Sequence, residues 1–357
     1  MKFIHCADLH LDSRIDTLPT EKSKIRREEI IRSFEKLAAY ATDNGVTAVI
    51  IAGDMFDGKK VSAKTKGRVV AAVKNNPAVD FLYLSGNHDE SDVFSEEELP
   101  SNLKRFADKW TSYRYGNTAI TGATSGENPE FLYGSLSLAE NDINIVVLHG
   151  QVAGYKSEDK AEIISLPLLK DKNIDYLALG HIHYYSENKL DDRGVYAYSG
   201  CLDGRGFDET GEKGFVLLET DEKTVSRRFV GFSSREFFET EMSVNGMENW
   251  YMFREEAVKF LKKNYPSSSL IKITLTGSRR TDFEIDAEGL ESRLLEEFFF
   301  VKIYDKTALE ISEEDFKNDK SVRGEFMRLV KNSDLSEEEK TAVITLGLNA
   351  LKGEDIR

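Results

Sequence analysis

Cysteine is scarce in this chain, because only Cys6 and Cys201 carry a thiol among 357 residues. Two cysteines in a chain of this length cannot form the disulfide framework that holds many secreted domains together. We therefore predict a reducing, cytoplasmic location. Cys6 falls within the first strand-like segment, where a cysteine usually serves as a small buried hydrophobic residue.

Long hydrophobic runs are also lacking, since no apolar stretch approaches the roughly 20 residues that a membrane-spanning helix needs. Met1 leads directly into a strand-like segment, so we expect neither a signal peptide nor a membrane partner. Hydrophobic residues make up 40% of the chain and charged residues 31%, which is typical of a globular protein. The length favours two or three domains.

Positive charge is in short supply, because 63 acidic residues outnumber 48 basic ones and the net charge is -15. This balance argues against free, non-specific binding of nucleic acid, whose phosphates require lysine and arginine. Basic residues are nevertheless concentrated in residues 59–68, directly after Asp57. They either form a solvated surface or contact phosphate. We favour phosphate contact for four basic residues: Lys59, Lys60, Lys64 and Arg14.

The stretch 46–57 is the one around which the chain is organised. Its β-branched run of Val49, Ile50 and Ile51 is typical of a strand buried on both faces. A glycine ends the run, and Asp54 and Asp57 follow. Ligands bind at the carboxyl ends of strands in open α/β sheets, although aspartate and glycine are also ordinary turn residues.

The same pattern recurs along the chain. Five strand-like runs each end in residue types that bind metals, and five of the six histidines fall in these endings. Only His5 lies inside a run, and we interpret it as a structural strand residue. The side chains at the strand ends are Asp8, His10, Asp54, Asn87, His88, His149, His181 and His183.

These residues form a recognisable series: Asp8-x-His10, Gly53-Asp54-x-x-Asp57, Gly86-Asn87-His88-Asp89, His149-Gly150 and Gly180-His181-x-His183. The series resembles the calcineurin-like metallophosphoesterases over roughly the first 230 residues, with every motif present in order. The segments FIHCADLHLDS and GVYAYSGCLDG further resemble the DNA double-strand-break repair nucleases, which include the SbcD subunit and YhaO-type exonuclease proteins. The resemblance implies an α/β fold in which mixed β-sheets form a sandwich flanked by helices.

The resemblance also implies two divalent metal ions and their ligands. One ion would be held by Asp8, His10 and His183, the other by Asn87, His149 and His181, with Asp54 bridging both. Manganese is our expectation, and iron, zinc or cobalt are the alternatives, because a mixed imidazole and oxygen set does not suit calcium or magnesium.

His88 is the one histidine of the motifs that this assignment leaves without a metal ion. The resemblance implies that it acts on the substrate, by stabilising the transition state or protonating the leaving oxygen. Asp57 would accept a hydrogen bond from its other ring nitrogen and orient it. Some archaeal and eukaryotic relatives carry histidine at the position of Asp57, so cleavage like that of the nucleases and cleavage like that of the phosphatases both stay open.

Three segments are predicted: a phosphoesterase domain over 1–232, an α+β capping domain over 233–311 and a helical tail over 312–357. Within the first we expect helices over 22–44 and 63–74, one or two helices within 94–110, and a strand over 131–134. The tail carries the capping-box pattern of Ser336 with Glu339. Its apolar residues Leu346, Leu348 and Leu351, with Gly347, indicate either packing on the capping domain or docking of a partner.

Taken together, the resemblance implies a metal-dependent DNA exonuclease or endonuclease subunit of a double-strand-break repair complex. Its partners would be DNA and an SbcC-like or YhaN-like coiled-coil ATPase, and a homodimer stays open. A phosphodiesterase or phosphatase acting on a nucleotide, a lipid precursor or a protein is the alternative, because fold does not determine substrate.

Overall fold

The computed structural model describes residues 1–58, 61–89, 94, 99–124, 129–153, 163–280, 283–310 and 317–352. The chain forms two compact units, Met1–Phe237 and Phe238–Arg357. The division lies near residue 232, where the sequence places the first domain boundary. Within the described residues, no helix combines the length and the apolar character needed to cross a bilayer.

The described part of the first unit contains fourteen complete strands and four helices. The strands are β1 (Lys2–Cys6), β2 (Ala48–Ala52), β3 (Asp80–Leu84), β4 (Leu103–Arg105), β5 (Thr111–Tyr115), β6 (Thr118–Gly122), β7 (Ile143–His149), β8 (Gln151–Val152), β9 (Ile163–Ile164), β10 (Tyr176–Gly180), β11 (Ser186–Lys189), β12 (Val195–Tyr198), β13 (Gly214–Thr220) and β14 (Val225–Gly231). The helices are α1 (Thr20–Asp43), α2 (Ala63–Lys74), α3 (Pro129–Ser135) and α4 (Leu166–Leu169).

Two six-stranded mixed sheets form the frame of this unit, with strand orders β14-β13-β1-β2-β3-β4 and β11-β12-β10-β7-β6-β5. Strands β1 to β4 run parallel, and β13 and β14 add antiparallel neighbours. In the second sheet β6, β7, β10 and β12 run parallel, with antiparallel strands at both edges. The predicted sandwich of mixed sheets flanked by helices is confirmed.

The main core lies between the two sheets, where Ile50 and Leu82 of the first pack in one cluster with Ile145 and Ala178 of the second. All five residues of β2 are buried, as expected for a strand that is covered on both faces. Helix α1 covers the other face of the first sheet: the ring of Phe34 lies 6.3 Å from that of Phe81 on β3.

One prediction for this unit was wrong. Residues 131–134 belong to helix α3 rather than to a strand, because Leu132, Tyr133 and Leu136 are buried while Phe131 is exposed, a helical rather than an alternating spacing. The helices predicted within 94–110 are absent from residues 99–110, where the short strand β4 lies. Residues 95–98 of that segment lie outside the described residues. The hairpin of β5 and β6 was not predicted.

The described part of the second unit is an α+β domain followed by two helices. Its strands are β15 (Phe237–Ser243, which begins at the last residue of the first unit), β16 (Leu270–Thr276), β17 (Ser278–Arg280), β18 (Phe300–Asp305) and β19 (Ala308–Glu310). Its helices are α5 (Trp250–Asn264), α6 (Ala287–Leu294), α7 (Val322–Lys331) and α8 (Glu337–Lys352). Strands β15, β16 and β18 form its main sheet.

Helices α7 and α8 pack on each other through a small core of Met327, Val330, Ile344 and Leu348. A Cβ atom at Gly347 would lie 2.2 Å from Cζ of Phe326, so the glycine lets the two helices of the tail approach closely. The predicted capping box forms: the backbone N–H of Ser336 donates to Glu339 Oε2 at 2.8 Å and that of Glu339 to Ser336 Oγ at 3.3 Å.

Candidate metal centre and active site

The predicted ligands meet where five strands of the two sheets end. The parallel strands β1, β2 and β3 reach one edge of the first sheet, and β7 and β10 reach the corresponding edge of the second. Because parallel neighbours share a carboxyl edge, the residues that follow them converge. These residues are Asp8, His10, Asp54, Asn87, His149, His181 and His183.

One group of donor atoms comes from Asp8, His10 and His183, whose nearest ligand atoms all lie within 4.8 Å of one another. The Nε2 atoms of His10 and His183 are 3.2 Å apart. The backbone N–H of His181 donates to both carboxylate oxygens of Asp8, at 2.9 and 3.0 Å. This contact holds the buried Asp8 carboxylate in a fixed position beside the two imidazoles.

A second group consists of Asp54, His149 and His181. His149 Nε2 lies 3.3 Å from Asp54 Oδ2 and 2.9 Å from Asn87 Oδ1. On the opposite side of the ring, His149 Nδ1 lies 2.9 Å from the carbonyl oxygen of Ala52. Since a carbonyl can only accept, the proton is on Nδ1 in the neutral ring and the lone pair of Nε2 faces the carboxylate.

Asp54 joins the two groups. Its Oδ1 accepts a hydrogen bond from the backbone N–H of His88 at 2.9 Å. Its Oδ2 lies 3.9 Å from Nε2 of His10 in the first group and 3.3 Å from Nε2 of His149 in the second. One oxygen therefore faces a nitrogen donor of each group, which is the position that a bridging ligand requires.

The backbone at the strand ends is in an uncommon conformation. Asp8, His10 and Asp54 have φ of 52°, 42° and 52°, and His181 has φ of 101°. Left-handed φ values in residues other than glycine carry a cost of the order of 1 kcal/mol or more and concentrate at functional sites. Here they turn the side chains of four predicted ligands towards one another.

Two glycines allow the ligands to approach the neighbouring strand ends. A Cβ atom at Gly53 would lie 2.0 Å from Nδ1 of His149, and one at Gly86 would lie 2.1 Å from Oδ1 of Asp54. Gly53 also has φ of 96°, which favours glycine. The glycines of the Gly53-Asp54 and Gly86-Asn87 motifs are therefore explained by close packing around the ligands.

The charges of the site match a cation. Burial opposes ionisation of Asp54, but His149 and His10 hold the pKa of this carboxyl well below its usual range. Burial disfavours the charged form of His149, and Asp54 and Asp8 outweigh it and raise the pKa of His149 to about 9. Buried carboxylate, amide and imidazole donors that converge in this way fit divalent transition metals.

His88 belongs to a third group of possible ligand atoms, with His10 and Asp57, and its ring faces Asp57. His88 Nδ1 is 3.2 Å from Asp57 Oδ1, and 35% of the His88 side chain is exposed. Asp57 Oδ2 accepts a second hydrogen bond, from the hydroxyl of Ser13 at 2.6 Å. The carboxylate is thus fixed on one side and oriented towards His88 on the other, which is the arrangement predicted for the pair.

Two residues of the site were missed by the sequence analysis. Glu209 is buried and its Oε1 lies 2.7 Å from Nδ1 of His183. Arg205 donates to the same carboxylate through its backbone N–H and through Nη2, both at 2.7 Å. Its Nη1 lies 3.7 Å from Asp57 Oδ2. The segment follows GVYAYSGCLDG directly, which was the only signal in the sequence.

The predicted phosphate contacts have mixed surroundings. Arg14 is exposed, and Lys64 lies 3.6 Å from Glu28. Arg68 is held by Glu28 at 2.6 Å and by Glu35 at 2.7 Å, so its guanidinium joins α1 to α2 and is not available to phosphate. Two further predicted contacts lie outside the described residues: Lys59 and Lys60.

The family model of the calcineurin-like phosphoesterases matches residues 1–185, slightly more than half of the chain. The chain is a calcineurin-like phosphoesterase. Members of this family bind a dinuclear metal centre and hydrolyse phosphoesters. The two donor groups joined by Asp54 are where this phosphoesterase has suitable ligands for such a centre.

Several curated proteins are similar to this phosphoesterase at modest identity. The DNA double-strand break repair protein Mre11 of Methanosarcina acetivorans is 26% identical over 316 residues, which cover 83% of this chain and 48% of that protein. The uncharacterized metallophosphoesterase YhaO of Bacillus subtilis is 27% identical, over 64% of this chain and 60% of that protein. The Mre11 of Sulfolobus acidocaldarius is 22% identical, over 89% of this chain and 85% of that protein.

The chain thus spans about half to three fifths of the length of the first two relatives. Identities of 22 to 27% support common ancestry and a common fold. These identities do not show that this chain shares the substrate or the partners of its relatives, because the same fold supports many functions.

Proposed function

We propose that this phosphoesterase is the nuclease subunit of a DNA-repair complex and hydrolyses DNA phosphodiester bonds at a two-metal centre. The observation that carries the proposal is the position of Asp54 Oδ2 between Nε2 of His10 and Nε2 of His149. DNA is favoured over other phosphoesters because the archaeal relatives are named as DNA double-strand break repair proteins.

The metal centre would be held by Asp8, His10 and His183 on one side, by Asn87, His149 and His181 on the other, and by Asp54 between them. Two divalent ions bound by these residues would supply a hydroxide nucleophile at neutral pH and would neutralise the charge of the phosphate. Manganese is the proposed metal, with iron, zinc or cobalt as alternatives, since imidazole and oxygen donors occur together.

His88 and Asp57 provide the proton transfer in this proposal. The exposed side of the His88 ring donates a proton to the leaving oxygen, or a hydrogen bond to the phosphate, during cleavage. Asp57 holds Nδ1 at 3.2 Å and thereby fixes the ring orientation. Ser13 and Arg205 in turn restrain the Asp57 carboxylate.

Contacts outside the metal centre complete the proposal. Lys59, Lys60, Lys64 and Arg14 are proposed to contact the DNA backbone. The helical tail is proposed to dock an SbcC-like or YhaN-like coiled-coil ATPase, whose basic surface would compensate for the acidic charge of this chain.

One set of assays tests the function. The purified chain with manganese should cut linear and hairpin DNA as well as bis-p-nitrophenyl phosphate. Asp54→Asn should lose at least one bound manganese ion per chain and nearly all hydrolysis, because the bridging carboxylate becomes a neutral amide. Asp142→Asn, which alters an aspartate paired with Arg114 outside the metal centre, is the matched control.

The results separate the proposal from its alternative. Full activity of Asp54→Asn with two bound manganese ions would exclude the bridging role. Hydrolysis of the small diester without any cutting of DNA would instead favour the phosphodiesterase or phosphatase that acts on a nucleotide, a lipid precursor or a protein.

A further inference from the structure

A cavity of about 720 Å³ opens directly beside the proposed metal centre. Asn87 and His149 form one of its walls, and residues that follow β4 form another. Its volume is within the range of pockets that hold small ligands, roughly 300–1,000 Å³. The residues that matter for its chemistry are Asn87, Asp89, Arg105, Phe106, Asp108 and His149.

The backbone of Arg105 has a fixed position beside this cavity. It is the last residue of β4 and pairs in register with Tyr83 of the parallel strand β3. Its carbonyl oxygen accepts a hydrogen bond from the hydroxyl of Tyr113 at 2.6 Å. Strand β3 leads to Asn87 and β4 ends at Arg105. Because the two strands are parallel, both residues lie at the same edge of the sheet.

The guanidinium group of Arg105 has no hydrogen bond or ion pair within the described residues. Neighbouring cations differ: Lys104 is paired with Asp80 and Arg114 with Asp142. Arg105 is nevertheless partly buried. A partly buried arginine without an anion next to a site for phosphoesters is a candidate for binding a phosphate group.

Two carboxylates also line the cavity. Asp89 accepts hydrogen bonds from the backbone N–H groups of Met55, Phe56 and Gly86, so both of its oxygens are turned to the protein. Asp108 is exposed and would oppose an anion at the mouth of the cavity. Among the residues that line the cavity outside the proposed metal centre, Arg105 is the one that offers a positive charge to an anionic ligand.

We propose that the cavity holds the nucleoside next to the scissile phosphate. Arg105 then binds the second phosphate of that nucleoside, on the side away from the metal centre. The inference rests on the proposed function and narrows its substrate to a nucleotide chain. A diester with a single phosphate would reach the metal centre but would leave Arg105 unused. Arg105 thus selects for a second phosphate.

The test compares binding of thymidine 3′,5′-bisphosphate with binding of thymidine 3′- and 5′-monophosphate in the presence of manganese. Calorimetry measures the three dissociation constants, and chromatography after each titration shows that the ligand is intact. The bisphosphate should bind the wild-type chain about tenfold more tightly than either monophosphate, as one charge-assisted contact predicts.

Three variants test whether Arg105 is responsible for this gain in affinity, and a fourth is the control. Arg105→Ala should abolish it and leave monophosphate binding unchanged, whereas Arg105→Lys should keep part of it. Asp108→Asn should increase it. Lys170→Ala removes an exposed lysine that does not line the cavity, and it should change none of the three dissociation constants.

The inference is overturned if the wild type binds the bisphosphate no more tightly than the monophosphates. It is also overturned if Arg105→Ala retains the tighter binding of the bisphosphate, or if that variant weakens the binding of all three ligands equally. Failure of the proposed function has a different signature, since the wild type would then not cut DNA, whether or not it hydrolyses bis-p-nitrophenyl phosphate. The binding comparison decides the role of Arg105 in either case.

Discussion

His88 is the residue of the site whose role depends on chemistry rather than on metal binding. We expect His88→Asn to retain two manganese ions per chain while kcat falls by about 10²–10⁴, the usual contribution of general acid–base catalysis. Metal content by elemental analysis and kcat with bis-p-nitrophenyl phosphate are the two measurements. Loss of manganese from the variant would identify His88 as a ligand and contradict the proposed mechanism.

Asp57 supplies an internal control for that experiment. Asp57 Oδ1 lies 3.2 Å from Nδ1 of His88 and 3.8 Å from Nδ1 of the proposed ligand His10. Because we expect the shorter contact to carry its effect on catalysis, Asp57→Asn should reduce kcat by less than His88→Asn does. In the double variant, the two effects should not add. Additive losses would mean that Asp57 acts independently of His88, either on the substrate or through His10.

Glu209 is predicted to determine metal affinity through His183. Its carboxylate lies 2.7 Å from His183 Nδ1, keeps the proton on that nitrogen and leaves Nε2 as the ligand atom. Burial alone would raise the pKa of Glu209, but His183 and Arg205 hold it well below its usual range. Glu209→Gln should weaken manganese binding by about 10–100-fold, as is usual when a partner of a metal ligand is lost.

The measurement is a manganese titration of activity and of binding. Saturating manganese should restore most of kcat in Glu209→Gln, which a merely structural defect would not do. Glu187→Gln is the matched control, because Glu187 is paired with Arg227 at 2.6 Å. An unchanged manganese affinity of Glu209→Gln would refute the role.

The sequence was sufficient to predict that the proposed ligands lie together, but it did not reveal the residues that contact them. Asp54 and His149 could be placed because each directly follows a run of buried residues, and strand ends converge in this class of fold. Glu209 and Arg205 follow no strand and are brought to His183 by a loop. Their spacing carries no periodic signal, so only the tertiary structure reveals them.

Among the elements, β1 and β10 are linked across the two sheets by a hydrogen bond between His5 Nδ1 and the hydroxyl of Tyr176, at 2.9 Å. Burial lowers the pKa of His5 from its ordinary value of 6.5 to about 3. The folded protein therefore keeps His5 neutral in a pH range where the unfolded chain would protonate it. Unfolding between these values is coupled to proton uptake.

This linkage predicts a pH dependence of stability. As pH falls from 6.5 towards 3, His5 should reduce the free energy of unfolding by up to about 1.4 kcal/mol per pH unit. His5→Gln removes the titrating ring, so its stability should fall less steeply over the same range. Denaturant unfolding of both proteins from pH 4.5 to 7.5 measures the difference. Parallel curves would contradict the prediction.

Elements with a strong local signal were predicted, and those that depend on tertiary contacts were not. Helix α2 has exactly the predicted bounds, Ala63–Lys74, and α1 differs by two residues at its start and one at its end. Helix α3 was mistaken for a strand, since a four-residue apolar run has no clear period. The edge strand β5 alternates only between partly buried and exposed residues.

At the scale of the whole molecule, the second unit ends in two helices, α7 and α8, and only some of their apolar residues are buried. The core of α7 and α8 buries Met327, Val330, Ile344 and Leu348. Leu329 and Leu346 are 65% and 57% exposed. Single exposed apolar residues are ordinary on protein surfaces, but Val322 and Val343 are also exposed on these two helices. The tail thus retains apolar surface that a partner helix would cover.

The tail is therefore predicted to bind the SbcC-like or YhaN-like ATPase. Deletion of residues 312–357 should leave manganese-dependent hydrolysis of bis-p-nitrophenyl phosphate intact, because the proposed metal centre lies entirely in the first unit. It should abolish co-purification with the ATPase and the stimulation of DNA cutting by ATP. A milder variant avoids removing the core of the two helices: Leu329→Glu combined with Leu346→Glu.

The double variant should weaken ATPase binding at least tenfold, since two charges would be buried without partners. Leu295→Glu alters a leucine that is 41% exposed and lies directly after α6, and it should bind normally. Calorimetry with the purified ATPase gives the affinities, and the melting temperature of each variant shows whether the tail remains folded. If the truncated chain binds the ATPase as tightly as the full chain, docking by the tail is wrong and these helices serve only to complete the second unit.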